Sequence, residues 1–497
     1  MLALLALAGL LSGCASSQRA PEASPGERNA DFCLRYLEGL DRETAASGVI
    51  DAQAARVEGY PFLRADRFLS SFPPGALDAN GFAEWLDRLQ ALDLEGRRVE
   101  TANLPQPSRE RLAVRFDGVG RDPRSLALRA ERCASVLRHE LVDSPDLRYE
   151  LGTRVKVPDD YLDWQRVLGL YPLSQIPFAL SVQAWQRETA RQFSALLESL
   201  PVRGEQVTYA PPATPTLAPA ATASHLQHWS DNPLGIPTPA SDELYWTLLA
   251  YAPVFTVDTE TGDDRIGALE RDQEQVVRVA AQDAVVYGYA SHARWREAVV
   301  LQLNYVIWFP ARPSDGAFDL LGGHLDGITW RVTLAPDGTV LVADTMHNCG
   351  CYHLFFPSTR LRPVAFGAAE EERPFVPQPL PSLRPGERFE LRIESRTHYV
   401  QRVLAVADLS GSARRYELRH YDVLRSLAAP DGTRRSLFGP DGIVPGTERG
   451  ERFLFWPMGV PDPGAMRQRG HHATAFVGRR HFDDPWLIER SFETVGP

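Results

Sequence analysis

The hydrophobic pattern of this chain changes period partway along, and that change limits the folds open to it. Up to about residue 200 the apolar residues recur at helical spacing. Phe32, Leu34, Leu37 and Leu40 do so within FCLRYLEGL, and Phe82, Trp85, Leu86, Leu89 and Leu92 form one stripe after Asp78-Ala-Asn-Gly81. Residues 124–141 and 179–200 continue that pattern. From about residue 243 it gives way to short runs rich in Val, Leu, Ile and aromatics, at 276–289, 298–309, 328–334, 340–343, 389–393, 400–406 and 415–418. Ala335-Pro-Asp-Gly-Thr339 has hairpin-turn chemistry, repeated in Pro430-Asp-Gly432 and Pro440-Asp-Gly442. The stretch between, 205–242, is rich in Pro, Ala and Thr and has no usable period. The reading is an α+β chain. A helical N-terminal domain (30–204) leads through a Pro/Ala-rich linker or arm (205–242) to a β-rich C-terminal domain (243–497), a sandwich or an irregular barrel.

The first residues read MLALLALAGLLSGCASS. The apolar run is too short to span a bilayer, which takes ~20 residues, but it has the length of a signal-peptide core. Leu11-Ser12-Gly13-Cys14, followed at once by polar residues, resembles the lipobox of bacterial lipoproteins. The resemblance implies removal of residues 1–13 and lipid on Cys14. Ala15, where an Asp would favour the inner membrane, implies a periplasm-facing outer-membrane location. No Lys or Arg precedes Cys14, a departure from the usual basic leader. Residues 14–29 read as a lipidated, flexible tether. The partners this implies are the membrane, through Cys14, and an envelope polymer or protein.

Composition narrows the classes further. Lys plus Arg (53) against Asp plus Glu (64) leaves a net charge of −11, which argues against non-specific nucleic-acid binding. No GxSxG, HExxH, P-loop or CxxCH motif occurs. With Cys14 assigned to lipid, four cysteines remain for an oxidising compartment. Cys33 and Cys133, both in helical-looking stretches, are expected to form a disulfide worth roughly 3–5 kcal/mol; two buried free thiols are the alternative.

Most of the histidines fall between residues 324 and 481. The densest piece is Asp344-Thr-Met-His347-Asn-Cys349-Gly-Cys351-Tyr-His353. On a strand, His347, Cys349, Cys351 and His353 would share one face. Four such residues span ~20 Å and cannot all reach one zinc on a straight strand. The chain must bend at Gly350, or further ligands must come from elsewhere. Candidates are His324 and Asp326, expected on one strand face between glycines, and His471 and His472.

The cluster admits three readings. In the first, a subset of these side chains binds zinc or copper, with hydrolysis of envelope material as the chemistry. In the second, Cys351 or Cys349 is an acyl-transfer nucleophile, with His324 as base and Asp326 or Asp344 as orienter. Here 346–353 resembles the catalytic segment of periplasmic L,D-transpeptidases, although the arginine that family places after its cysteine is absent and His353 stands near that position. In the third, Cys349 and Cys351 form a structural or redox CxC disulfide in a non-enzymatic, partner-binding lipoprotein.

Overall fold

The computed structural model describes residues 25–495 apart from 117–119, 315, 317–318, 365–371 and 408–412. Cys14, its leader and most of the tether lie outside the described residues. The N-terminal part is helical, as its period requires. Its framework is α1 (Pro25–Ala46), α2 (Ala79–Asn103) and α3 (Pro123–Glu140). Asp78 caps α2 by accepting from Gly81 N (2.7 Å), and Asp122 caps α3 by accepting from Ser125 N (2.9 Å). The stripe Phe82, Trp85, Leu86 and Leu89 is buried, with Leu92 half-buried at its end. Cys33 of α1 and Cys133 of α3 are joined in a disulfide, with Cα atoms 4.8 Å apart. Beyond the apolar stripe, α2 departs from its amphipathic pattern. Asp93, Arg97 and Glu100 turn inward and form ion pairs around the fully buried Arg64.

Two further helices, α4 (Asp163–Leu168) and α5 (Tyr171–Ser194), lead into the β-rich part. The segment expected to be a linker is structured instead. It contributes strand β1 (Glu205–Ala210) and helix α6 (Pro219–Trp229), whose Leu226 and Trp229 are buried. Its prolines set the helix start rather than an open chain, since Pro219 stands at the first helical turn. His225 packs against Trp229 there, the rings tilted with centroids 5.3 Å apart. Helix α7 (Ser241–Tyr251) comes next.

Two mixed sheets then enclose the largest core. After α7 the strands of these two sheets begin, in chain order, with β2 (Val254–Thr259), β3 (Val285–Trp295), β4 (Ala298–Arg312), β5 (Gly323–Leu334) and β6 (Val340–His347); the short hairpin 268–280 between β2 and β3 belongs to neither sheet. They are followed by β7 (Leu354–Pro357), β8 (Arg388–Ile393), β9 (Val400–Val406), β10 (Arg414–Arg415) and β11 (Glu417–His420). The larger sheet runs β7-β6-β5-β4-β3-β11 and the smaller β9-β8-β2-β1-β10. Val207, Phe255 and Leu391 of the smaller sheet meet Leu303, Tyr305 and Trp330 of the larger in one apolar layer. This is the sandwich of the two alternatives; no sheet closes into a barrel among the described residues. β4 is central and buried on both faces. Tyr305 and Ile307 point into the inter-sheet core, while Val306 and Trp308 enter a second core on the other side. The Ala335–Thr339 turn is present, with Ala335 N donating to Thr339 O and Gly338 at φ +76°.

The helical and β-rich parts are pinned together by charge. Arg425 pairs with Asp51 (2.6 Å) and also with Glu95 of α2.

Candidate functional site

The Cys349-Gly-Cys351 segment does not continue as a strand. β6 stops at His347 and β7 begins at Leu354, so the cysteines sit in the connection between two antiparallel strands. His347 N donates to Cys351 O (3.0 Å), and Gly350 N to His347 O (2.7 Å). Gly350 makes the reversal, with φ at +96° and a position where a Cβ would lie 2.5 Å from Ala473 O. The four alternating residues therefore leave the common face that a straight strand would give them. The bend at Gly350 does not gather them round one point.

It does bring the two sulfurs together. The Cys349 thiol lies buried and Cys351 half-buried, both free, on the wall of a cavity of about 280 Å³. The Cys351 side chain and backbone N–H both hydrogen-bond the Cys349 sulfur, and Arg449 is close by. Together these contacts hold the Cys349 thiol below its ordinary range against the opposing effect of burial. Cys351 moves the other way. As the donor to Cys349, and further by burial, it keeps its proton to well above the usual range. Glu451, 5% exposed, faces the same cavity. Burial raises its carboxyl despite the opposing pull of Arg449 and Arg312. Phe178 and Trp185 of α5 and Phe455 and Phe476 supply an aromatic lining.

Behind this wall lies a relay of buried charge. Asp326 accepts a hydrogen bond from His398 Nδ1 (2.9 Å), and Arg449 (3.3 Å) and His347 (3.4 Å) approach its other oxygen. The far nitrogen of His398 faces Asp264 at 3.4 Å, and its ring stacks on Phe309 with centroids 3.8 Å apart. Burial pushes His398 down, but the hydrogen bonds to Asp264 and Asp326 prevail and raise it. Asp326 resists the upward push of burial because Arg449 and His347 hold its carboxyl well below the usual range. His347 is lowered by burial, more than Asp326 restores. Arg312 packs over the rings of Tyr352 and Tyr399, which close this relay off from the cavity.

The remaining sequence candidates are separately engaged. His353 lines the cavity and pairs with Asp344 (2.8 Å), which Arg331 grips with two hydrogen bonds. His324 is exposed, its Nε2 on Val277 O, while Asp326 is fully buried; Leu325 between them, at φ +53°, breaks the expected shared face. His471 pairs with Asp160, and His472 with Asn348 O. Among the described residues no group of three or more His, Cys, Asp or Glu side chains is placed to hold a metal ion. The zinc or copper site expected from His324, Asp326, His347, Cys349, Cys351, His353, His471 and His472 thus has no converged donor set there. Nor does a histidine hydrogen-bond either thiol among the described residues, so His324 is not positioned as the base of a cysteine nucleophile.

Sequence reasoning missed His398, Arg449 and Glu451. None stands in a motif, and each acts on partners far away in sequence. The one local signal is the T-H-Y turn, where Arg396 and His398 both take positive φ. No family model, curated protein or solved structure matches the chain.

Proposed function

We propose that this protein works through Cys349 and Cys351 as a dithiol–disulfide couple at an apolar cavity, on an envelope lipoprotein anchored at Cys14 and facing the periplasm. The observation that carries the reading is the pair of free cysteines that the Gly350 reversal sets side by side on one cavity wall, and their polarisation supports it. One thiol is held toward the thiolate beside Arg449, and the other is half-buried, protonated and its hydrogen-bond donor. The Cys33–Cys133 disulfide supports an oxidising setting.

The chemistry depends on which sulfur is reachable and which leaves best. In the oxidised form a substrate thiolate attacks the more exposed Cys351 sulfur. The Cys349–Cys351 bond breaks, and Cys349 departs as the thiolate that Arg449 and the Cys351 N–H stabilise. A second substrate thiolate attacks the substrate sulfur of the mixed disulfide and releases Cys351. The two protons given up by the substrate thiols end on the cysteine pair, with Glu451 placed to pass one to Cys351. The net change is one disulfide and two thiols exchanged for two thiols and one disulfide.

The test is equilibration of the full chain in glutathione buffers, followed by acid quench, alkylation and peptide mass analysis. We expect a two-electron transition confined to the 349–351 peptide, absent in Cys349→Ser and Cys351→Ser. Two alkylated thiols across the whole range of buffers would overturn the proposal.

A further inference from the structure

A water-facing helix surface is ordinarily polar, yet from Val167 to Gln186 this chain carries no charged residue. That stretch covers the end of α4 and most of α5. The inner face of α5 carries Phe178, Val182 and Trp185 into the cavity wall. Its opposite face is apolar too. Leu173 (67% exposed), Ile176, Pro177 and Leu180 lie outward at helical spacing, and Arg187, Glu188 and Arg191 take over that face only in the second half. Helix α4 adds Trp164, Val167 and Leu168, all exposed. A third element extends the patch, the short helix α8 (Arg452–Phe455). It presents Phe453 (73% exposed) and Leu454, with Trp456 just beyond. These elements pack as one body, since Phe455 meets Phe178 and Arg166 donates to Met458 O. A contiguous apolar patch of this kind on a folded surface marks an interaction site.

We infer that the outward face of α4, α5 and α8 docks on a phospholipid bilayer and brings the mouth of the cysteine cavity to the lipid surface. Three observations select lipid as the occupant. Tryptophans stand at two places in the patch, Trp164 and Trp456, where an indole suits the boundary between acyl chain and headgroup. Arginines border it: the exposed Arg187 at one end, positioned to reach lipid phosphates, and at the other the half-buried Arg452, which lies over the Phe453 ring and holds Asp462 at 3.6 Å, a loose pair that a phosphate would compete for. The third observation rests on the anchor reading. The ten residues from Ala15 to Ser24 span at most about 35 Å, so lipid on Cys14 holds the folded body beside a membrane throughout its life. Docking does not depend on the redox chemistry of the cysteines.

The test uses the full chain with vesicles of phosphatidylethanolamine and phosphatidylglycerol, with and without brominated acyl chains that quench tryptophan on contact. Two of the ten tryptophans lie in the patch, so we expect bromine to remove about a fifth of the emission. That loss should disappear in Trp164→Phe/Trp456→Phe and in Leu173→Glu/Ile176→Glu. The glutamates replace exposed side chains, and unchanged circular dichroism would show the fold intact. Equal emission from both kinds of vesicle would overturn the inference. So would a wild-type dimer in lipid-free sedimentation that Leu173→Glu/Ile176→Glu makes monomeric, because the face would then belong to a second copy. A Cys14→Ser chain separates the two readings. If it still shows the quenching, the surface docks without the anchor; if the wild type floats with vesicles but is not quenched, the anchor stands and the docking surface fails.

Discussion

At the scale of single residues the cysteine pair is governed by three neighbours: Gly350, Arg449 and Glu451. Gly350 permits the reversal, and Arg449 and the Cys351 N–H favour charge on Cys349. Removing one thiol exposes the asymmetry. In Cys349→Ser, Cys351 keeps its half-buried position and loses the partner that held its proton; in Cys351→Ser, the remaining Cys349 is buried and loses its thiol donor. Iodoacetamide should therefore alkylate Cys349→Ser about tenfold faster than Cys351→Ser at neutral pH, with equal rates counting against the assignment of roles. Glu451 gives a second expectation. Burial raises its carboxyl, so the folded state favours the protonated form. Any stability this contributes is present in full below the unfolded value near 4.5 and is lost as pH rises through the folded value. At pH 7 an ionised Glu451 is a cost. Glu451→Gln should raise the urea midpoint at pH 7 and leave it unchanged near pH 4, while slowing thiol exchange. A Gln chain that is less stable at pH 7 would mean the carboxylate is structurally paired. The sequence left the CGC turn open, because glycine between two cysteines admits a reversal without requiring one. His398 and Arg449 were not legible in it, because a lone histidine and a lone arginine carry no local pattern. Their roles come from Asp326, 72 and 123 positions away.

Among the elements, the expected strand 276–289 divides into a short strand at 277–280 and the first residues of β3, whereas β9 occupies the predicted 400–406. Burial of alternating apolar residues dictates such segments almost alone. The Pro/Ala-rich stretch misled for the opposite reason. β1 is anchored by pairing with β2, and α6 by Leu226 and Trp229, both tertiary effects. α2 shows how far element and context can diverge. Gly96 sits inside this helix, where Gly→Ala ordinarily gains about 1 kcal/mol. Here an added Cβ would collide with Arg64 Nη1. Arg64 cannot simply swing aside, being buried and hydrogen-bonded to Asp93, Glu100 and Asp51 O. Its displacement takes from each of the buried Asp93 and Glu100 one of two arginine partners, leaving Arg97 and Arg56, a loss of up to ~3–5 kcal/mol. Gly96→Ala should therefore lower stability by roughly 2–4 kcal/mol in urea unfolding. A stabilised variant would show that the charge cluster adapts freely.

Over the whole molecule, the buried histidines and buried carboxyls set opposing responses to acid. His353 is held at about 4, chiefly by burial with Asp344 pulling the other way; His472 is held at about 3 by burial and then Arg467. Both titrate lower in the folded than in the unfolded chain, so the unfolded state takes up their protons first. Stability from this source is complete above about pH 6.5 and falls as pH drops toward 4, by at most about 1.4 kcal/mol per pH unit for each histidine. Asp66, held at about 6 by burial, opposes them, as do the raised Glu451 and Asp483. These carboxyls bind protons in the folded state first and gain stability over the same window. His398 and His471, raised by their aspartates, keep their contribution throughout it and lose it only as pH rises further. The wild-type curve between pH 6.5 and 4.5 is therefore the difference of two slopes, and substitution separates them. His472→Gln, which retains a donor for Asn348 O, should lose less stability on acidification than the wild type. Asp66→Asn, which keeps the side-chain oxygen that caps Leu69 N, should lose more. Urea midpoints of the three chains at pH 7.0, 5.5 and 4.5, converted with a common m-value, are expected to fan out in that order by about 1 kcal/mol or more per pH unit. Parallel curves would mean these groups are solvated by opening of the site well before global unfolding, and would remove burial as the cause of their perturbed protonation.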